Sequence, residues 1–279
     1  MIVTDDIAKV REVRWAEPAA SWGLVPTMGY LHEGHLSLVW AAKRENDFTA
    51  VSIYVNPTQF AAGEDLSTYP RSLERDLQML EAAGVDLVFT PSNGVMYPDG
   101  FQTKVEVTEV SKQQEGASRP THFAGVTLVV AKLFNIIQPT RAYFGQKDAQ
   151  QTIVLKRMVA DLNFNLELVV KETVREPDGL AMSSRNKYLT AAQREAAVVL
   201  SQALTLAQRM VWDGERDAAK IRALMTERIA AEPLARLDYI SIADFSSLEE
   251  VNVLENKVLI SLAVFFAETR LIDNIIVSL

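Results

Sequence analysis

The ten residues from Pro26 to His35 read Pro-Thr-Met-Gly-Tyr-Leu-His-Glu-Gly-His, and they hold two of the three histidines in a chain of 279 residues. An apolar run, Gly23 to Val25, enters this stretch, and a helical pattern from Leu36 to Arg44 leaves it. Residues three apart share one face of a helix. For His32 and His35 that face is the first turn, where backbone N–H groups lack intrahelical partners and the macrodipole is positive. Such a turn suits a phosphate, and Gly29 and Gly34 allow the backbone to approach a ligand closely. The imidazoles can donate to phosphate oxygens, or one can move a proton near neutral pH. Zinc is the poorer fit, because neither a third nearby histidine nor an obvious carboxylate partner completes a ligand set. On spacing alone, a strand-to-helix turn with two surface histidines is the plain alternative.

Other stretches carry complementary chemistry. Lys147-Asp148 follows Gly145-Gln146 at the end of a short apolar run. A lysine there can neutralise a triphosphate as a point charge, and the aspartate can orient it or accept from a ribose. Ser183-Ser184-Arg185 offers two hydroxyls and a forked guanidinium, a set suited to phosphate oxygens. A helix-capping loop is the alternative, and no Gly-x-Ser-x-Gly elbow supports a nucleophilic serine. Gln59 and Gln151 are neutral amides able to hold hydroxyls and a carboxylate without repelling them, though glutamine is more often a surface residue. Arg119 to Phe123 precedes an apolar helix, and the role of His122 there is open. Neither a dinucleotide fingerprint nor a P-loop is present.

The elements that must position these residues alternate. Helices are expected over Ile7–Glu17, 36–44, a segment capped by Ser72 and stopped at Gly84, Gly125–Ile137 and Ala149–Leu162. Strands are expected over Leu24–Thr27, Phe48–Val55, Val85–Phe89, Lys104–Val107, Ala142–Phe144 and Leu166–Val170. Strands separated by helices of these lengths imply βαβ units, and the near-continuous apolar character of 48–55 suits a strand buried on both faces. The fold class is therefore α/β, a doubly wound Rossmann-like parallel sheet. Ligands bind outside the carboxyl ends of such strands, where 26–35, 56–59 and 145–148 all fall. After about residue 171 the pattern changes to a long helix from Thr190 to Met210, a second over 218–231, and strands over 237–243, 258–266 and 271–277. That order indicates a smaller C-terminal α+β domain. The expected division is 1–171 for the Rossmann-like domain and 172–279 for the C-terminal α+β domain.

Composition narrows the partners. The net charge is −8 and the isoelectric point is near 5.1, which argues against nucleic acid but permits an anion in a local basic pocket. The absence of cysteine excludes disulfides, thiolate metal sites and a cysteine nucleophile, and fits a cytoplasmic protein. The first residues lack a charged segment followed by an apolar core, so no signal peptide is expected. Val258–Ala267, the longest apolar stretch, is too short to span a bilayer.

Taken together, Pro26–His35, Asn56–Phe60, Arg119–Val126, Lys132–Ile136, Phe144–Gln151, Asp178–Leu189 and Thr269–Asn274 resemble the pantoate–β-alanine ligases (pantothenate synthetases), in order and across nearly the whole chain. The His-x-x-His turn alone would indicate only the wider nucleotidyltransferase-like superfamily; the joint match is specific. The resemblance implies a two-step ligase: pantoate attacks the α-phosphorus of ATP to give pantoyl adenylate and pyrophosphate, then β-alanine displaces AMP. It implies ATP contacts at Met28, Gly29, Tyr30, Leu31, His32, Glu33, Gly34 and His35, at Gly145, Gln146, Lys147 and Asp148, and at Val174, Met182, Ser183, Ser184 and Arg185. It gives His35 the proton-donor role, with His32 and Lys147 assisting, and assigns pantoate to Gln59 and Gln151, with Gln59 also near β-alanine. Mg²⁺ accompanies ATP, with Asp76 as a candidate contact, and the family is dimeric. Thr140 and Leu128 depart from residues common in the family, and Arg75 stands where an acid can occur. Rival readings are a nucleotidylyltransferase acting on another small acceptor, and a non-catalytic nucleotide-binding module.

Overall fold

The computed structural model describes residues 1–61 and 63–279. The chain runs β1 (Ile2–Thr4), α1 (Ile7–Trp15), β2 (Trp22–Thr27), α2 (Glu33–Glu45), β3 (Phe48–Ile53), α3 (Leu73–Ala82), β4 (Leu87–Phe89), α4 (Asn93–Met96), α5 (Gln114–Ser118), α6 (His122–Ile137), β5 (Arg141–Gly145), α7 (Ala149–Asp161) and β6 (Glu167–Lys171). It continues through α8 (Ala191–Ala196), α9 (Val199–Trp212), α10 (Ala218–Ala230), β7 (Arg236–Asp244), β8 (Lys257–Phe266) and β9 (Thr269–Ser278). Two compact units result: residues 1–145 with 151–172, and residues 146–150 with 173–279.

The first unit is a six-stranded sheet in the order β1-β4-β3-β2-β5-β6, with every pairing parallel. From β2 the chain steps outward through β3 and β4, then returns to the other side of β2 for β5 and β6. The order reverses between β2 and β5, the switch point at which doubly wound sheets open a crevice beyond their strand ends. Alternation along the strands feeds two cores. Leu24, Ala50, Leu87 and Ala142 pack with α6 on one face, while Val25, Val51, Val88 and Tyr143 pack with Leu38, Val39 and Leu80 of α2 and α3 on the other. A period of two sends neighbours to opposite faces. Each larger aliphatic side chain among them, when fully buried, contributes roughly 1.5–3 kcal/mol.

The second unit places α9 and α10 on an antiparallel sheet ordered β7-β8-β9. Strand β8 lies in the middle and is buried along nearly its whole length, which explains its unbroken apolar sequence.

The doubly wound parallel sheet and the smaller C-terminal α+β unit match the expectation from sequence. Four local features differ. Strand β1 precedes the first expected strand; it is only three residues long and pairs at the sheet edge with β4. Residues 104–107 form no strand; their backbone is used instead by Thr127, whose hydroxyl donates to the Val105 carbonyl (2.6 Å). The expected helix from Thr190 to Met210 is two helices. At the break, Val198 N–H bonds to Glu195 O and Leu200 N–H to Ala197 O, the tighter i→i+3 pattern that interrupts an α-helix. Ser72 precedes α3 without a side-chain cap bond.

Candidate active site

Strand β2 delivers the chain to the His-x-x-His turn, and α2 begins with His32 as its N-cap. The histidines cap the helix reciprocally. His32 Nδ1 accepts from Gly34 N–H (3.1 Å), and His35 Nδ1 accepts from His32 N–H (3.3 Å). This is a capping box in which imidazole nitrogens take the place of hydroxyl and carboxyl oxygens. A ring nitrogen that accepts a hydrogen bond carries no proton, so in each neutral imidazole the hydrogen sits on Nε2. The rings lie 4.1 Å apart, centroid to centroid. The capping arrangement thus fixes two Nε2–H donors side by side at the positive end of a helix, a suitable seat for phosphate oxygens.

The turn before the helix is held from α3. Asp76 is 1% exposed, and its carboxylate accepts from Tyr30 N–H (2.7 Å) and Leu31 N–H (2.8 Å). The turn needs this support: Tyr30 has a left-handed φ of 51°, an unfavourable conformation for a side-chain-bearing residue. Gly29 has φ 82°, and a Cβ there would lie 3.1 Å from both Asp76 Oδ2 and Ile53 Cγ2. Arg75 donates to the Leu31 carbonyl (3.0 Å) and lies 5.4 Å from the Tyr30 ring centroid. Asp76, expected as a Mg²⁺ contact, commits one oxygen to each of two amides of this turn. Among the described residues no group of three or more His, Cys, Asp or Glu is arranged to hold a metal ion.

Gln59 ends a short 3₁₀ turn, Pro57–Gln59, that follows β3 and is capped by Asn56. The structure brings Gln59 against the first turn: its Nε2 donates to the Met28 sulfur (2.9 Å), and its Oε1 accepts from Asn56 Nδ2 (3.2 Å). A thioether is a weak acceptor, so this amide can exchange it for a ligand oxygen. Gln151 lies in the first turn of α7, in the same unit, part-buried.

The remaining residues belong to the second unit, and there β9 is the common support. It packs against both Gln146–Asp148 and Ser184–Tyr188. Asn274 is 3% exposed, and its Nδ2 donates to the carbonyls of Gln146 (3.0 Å) and Lys147 (2.9 Å). Asp273 binds Arg175 in a fork, at 2.7 and 3.0 Å. Arg175 also donates to the Gly179 carbonyl (3.0 Å). That guanidinium holds a hairpin in which Met182 N–H bonds to Val174 O (3.0 Å), so Val174 and Met182 are neighbours. Ser183 caps the next turn by accepting from Arg185 N–H (3.2 Å), and Ser184 is buried. The Lys147 ammonium has Asp148 at 3.9 Å, a loose pair that leaves it available to an anion.

Each unit therefore gathers its own share of the candidates: 28–35, Gln59, Gly145 and Gln151 in the first, 146–148, Val174 and 182–185 in the second. Sequence reasoning missed the supporting roles of Asp76, Arg75, Asp273 and Asn274. A signal existed for the last pair, since two adjacent polar residues interrupt an otherwise apolar strand.

A protein-family model described as pantoate-beta-alanine ligase matches residues 2–276. The pantothenate synthetase of Herpetosiphon aurantiacus is 56% identical over 279 residues, covering 99% of this chain and all of that one. The crystal structure of pantothenate synthetase from Thermus thermophilus superposes with a TM-score of 0.94 at 46% identity, covering 99% of both chains. The pantoate-beta-alanine ligase of Francisella tularensis, solved in complex with beta-gamma ATP and beta-alanine, gives a TM-score of 0.81 at 36% identity, covering 99% of this chain and 97% of that one. The match runs the length of the chain in sequence and in fold, and the chain belongs to the pantoate–β-alanine ligase family.

Proposed function

We propose that this chain condenses pantoate with β-alanine, driven by ATP and passing through a pantoyl adenylate, using the residues described above. The observation that carries the proposal is the paired Nε2–H donors of His32 and His35 at the start of α2, with the Gln59 amide held against Met28 of the turn that leads into them. Family membership and the ATP and β-alanine complex of the Francisella protein support it.

In the first step a carboxylate oxygen of pantoate bonds to the α-phosphorus, and the bond from that phosphorus to the bridging oxygen of pyrophosphate breaks. Charge grows on the departing pyrophosphate, so positioned donors stabilise the transition state more than the ground state. Residues 28–35 and 145–148, with Val174 and 182–185, hold ATP. His35 and His32 donate through Nε2–H to phosphate oxygens, and Lys147 adds a full positive charge. Gln59 and Gln151 orient pantoate with neutral amides, which do not draw electron density from the attacking carboxylate as a cation would.

In the second step the free amine of β-alanine bonds to the acyl carbon. The acyl–oxygen bond breaks, AMP leaves with the electron pair, and the amine loses a proton. Excluding water protects the adenylate between the steps. Mg²⁺ enters as part of the Mg·ATP substrate, a mode common for this ion, which keeps waters and binds through phosphates. The working protein is a homodimer in the cytoplasm; no described helix is long and apolar enough to cross a membrane.

The test is a reaction of the purified protein with Mg·ATP, pantoate and β-alanine, followed by mass spectrometry, with each substrate omitted in turn. Equal yields of pantothenate and AMP that require all three substrates support the proposal. AMP release that ignores β-alanine and yields no amide product contradicts it.

A further inference from the structure

The Gln59 turn is gripped from behind by residues that the functional reading has not used. His122 Nδ1 lies 2.9 Å from the Gln59 carbonyl oxygen. That oxygen can only accept, so the nitrogen carries the hydrogen, the tautomer opposite to that of His32 and His35. Arg119 Nη2 donates to the same carbonyl at 3.3 Å. The guanidinium also forks onto Glu64, with Nε to Oε1 at 2.5 Å and Nη2 to Oε2 at 2.6 Å. Glu64 in turn accepts from Ala61 N–H (3.1 Å), just beyond the turn. The helix closes the remaining side: a Cβ at Gly125 would lie 2.4 Å from Thr58 O and 2.6 Å from Gln59 N, so the backbone of α6 is in direct contact with the turn.

We propose that Glu64, Arg119 and His122 are positioning residues for Gln59: they fix its carbonyl, and hence the direction of its side-chain amide, for binding pantoate. This rests on the assignment of Gln59 to the pantoate pocket. Arg119 and His122 converge on one carbonyl, and Glu64 fixes the Arg119 guanidinium that reaches it. The Arg119 and Glu64 side chains are only 16% and 23% exposed, so the fork is shielded and directional, unlike a surface pair. Burial pushes the His122 imidazole down to about 4, which keeps it neutral near pH 7. It therefore serves as a fixed donor and not as a charge competing for the pantoate carboxylate. The consequence is selective, because a small misplacement of an orienting group costs rate and affinity for the ligand that it orients.

The experiment measures initial ligation rates with each substrate varied, for wild type, Glu64→Gln, His122→Ala, His122→Asn, Gln59→Ala and the Gln59→Ala/His122→Ala double variant, with thermal unfolding of each. Glu64→Gln keeps the side-chain volume and decides the matter if His122→Ala fails to fold. We expect Glu64→Gln and His122→Ala to raise the pantoate KM by about tenfold while the ATP KM stays within about twofold. His122→Asn, whose amide N–H can reach the same carbonyl, should recover most of the loss. The double variant should be no worse than Gln59→Ala alone, because His122 acts through Gln59. Parallel rises in both KM values, an unchanged pantoate KM in Glu64→Gln, or equal defects in His122→Ala and His122→Asn would overturn the proposal. A wild-type protein without pantoate-dependent turnover, or a Gln59→Ala variant with an unchanged pantoate KM, would instead overturn the underlying assignment.

Discussion

Asp76 holds Tyr30: Oδ2 of the buried carboxylate accepts the Tyr30 amide at 2.7 Å, across 46 residues of sequence, and keeps a non-glycine residue in the left-handed region. A carboxylate makes shorter and stronger hydrogen bonds to two amides than a neutral acceptor would. Asp76→Asn would turn an NH₂ toward one of the two N–H donors. We expect a loss of about 1.5–3 kcal/mol of stability and an ATP KM raised by about tenfold. Urea unfolding and steady-state kinetics check both, and a variant with normal stability and ATP KM would show that the turn holds itself.

The reciprocal histidine cap separates helix stability from chemistry. Asparagine is among the best N-caps, so His32→Asn should stay within about 1 kcal/mol of wild-type stability. It loses the Nε2–H donor, and adenylation should slow by roughly 10²–10³. His35→Ala removes one half of the cap and should slow adenylation by about 10²–10⁴. Single-turnover measurement of adenylate formation reads these effects; wild-type rates in both variants would remove the histidines from the chemistry.

His122 makes stability depend on pH. Desolvation is the main cause that holds its folded value near 4, and the Arg119 charge adds to it; the Gln59 carbonyl and the charges of Glu115 and Glu64 oppose them. The ordinary value is about 6.5. Between these values the unfolded chain binds a proton that the folded chain refuses. The favourable contribution is therefore complete above about pH 6.5 and is lost as pH falls toward 4, by about 3 kcal/mol at most. Urea unfolding from about pH 7 to about 4.5 should show a shallower decline for His122→Asn than for wild type. Parallel curves would mean that His122 is protonated in the folded state at mildly acidic pH.

On the other unit, Asn274 holds the carbonyls of Gln146 and Lys147. Asn274→Ala leaves both without this donor, at a cost of about 1–3 kcal/mol. Because the supported segment carries Lys147, the ATP KM should rise by about tenfold while the pantoate KM does not. A selective pantoate defect would contradict that division of labour.

Much of the fold is legible in the sequence. The placement of His32 and His35 in the first turn of a helix followed from their spacing before a periodic segment, because capping is a local interaction. Strand alternation with helices implied the parallel sheet, since period and length are also local. What escaped was long-range. Asp76 meets Tyr30 only after α3 packs back on the sheet, 46 residues away in sequence. His122 and Gln59 are 63 residues apart, and Asn274 and Lys147 are 127 apart. No spacing rule connects such pairs. The break at Ala197–Val198 was hidden for the opposite reason: neither residue is a helix breaker, so the sequence pattern runs on through it.

Isotope exchange between labelled pyrophosphate and ATP tests most directly whether pantoate is adenylated here before β-alanine takes part. With purified protein, Mg²⁺ and ATP, exchange should require pantoate, proceed without β-alanine, and fall by about 10²–10⁴ in His35→Ala. Exchange that is indifferent to pantoate, or that appears only when β-alanine is present, would contradict the account.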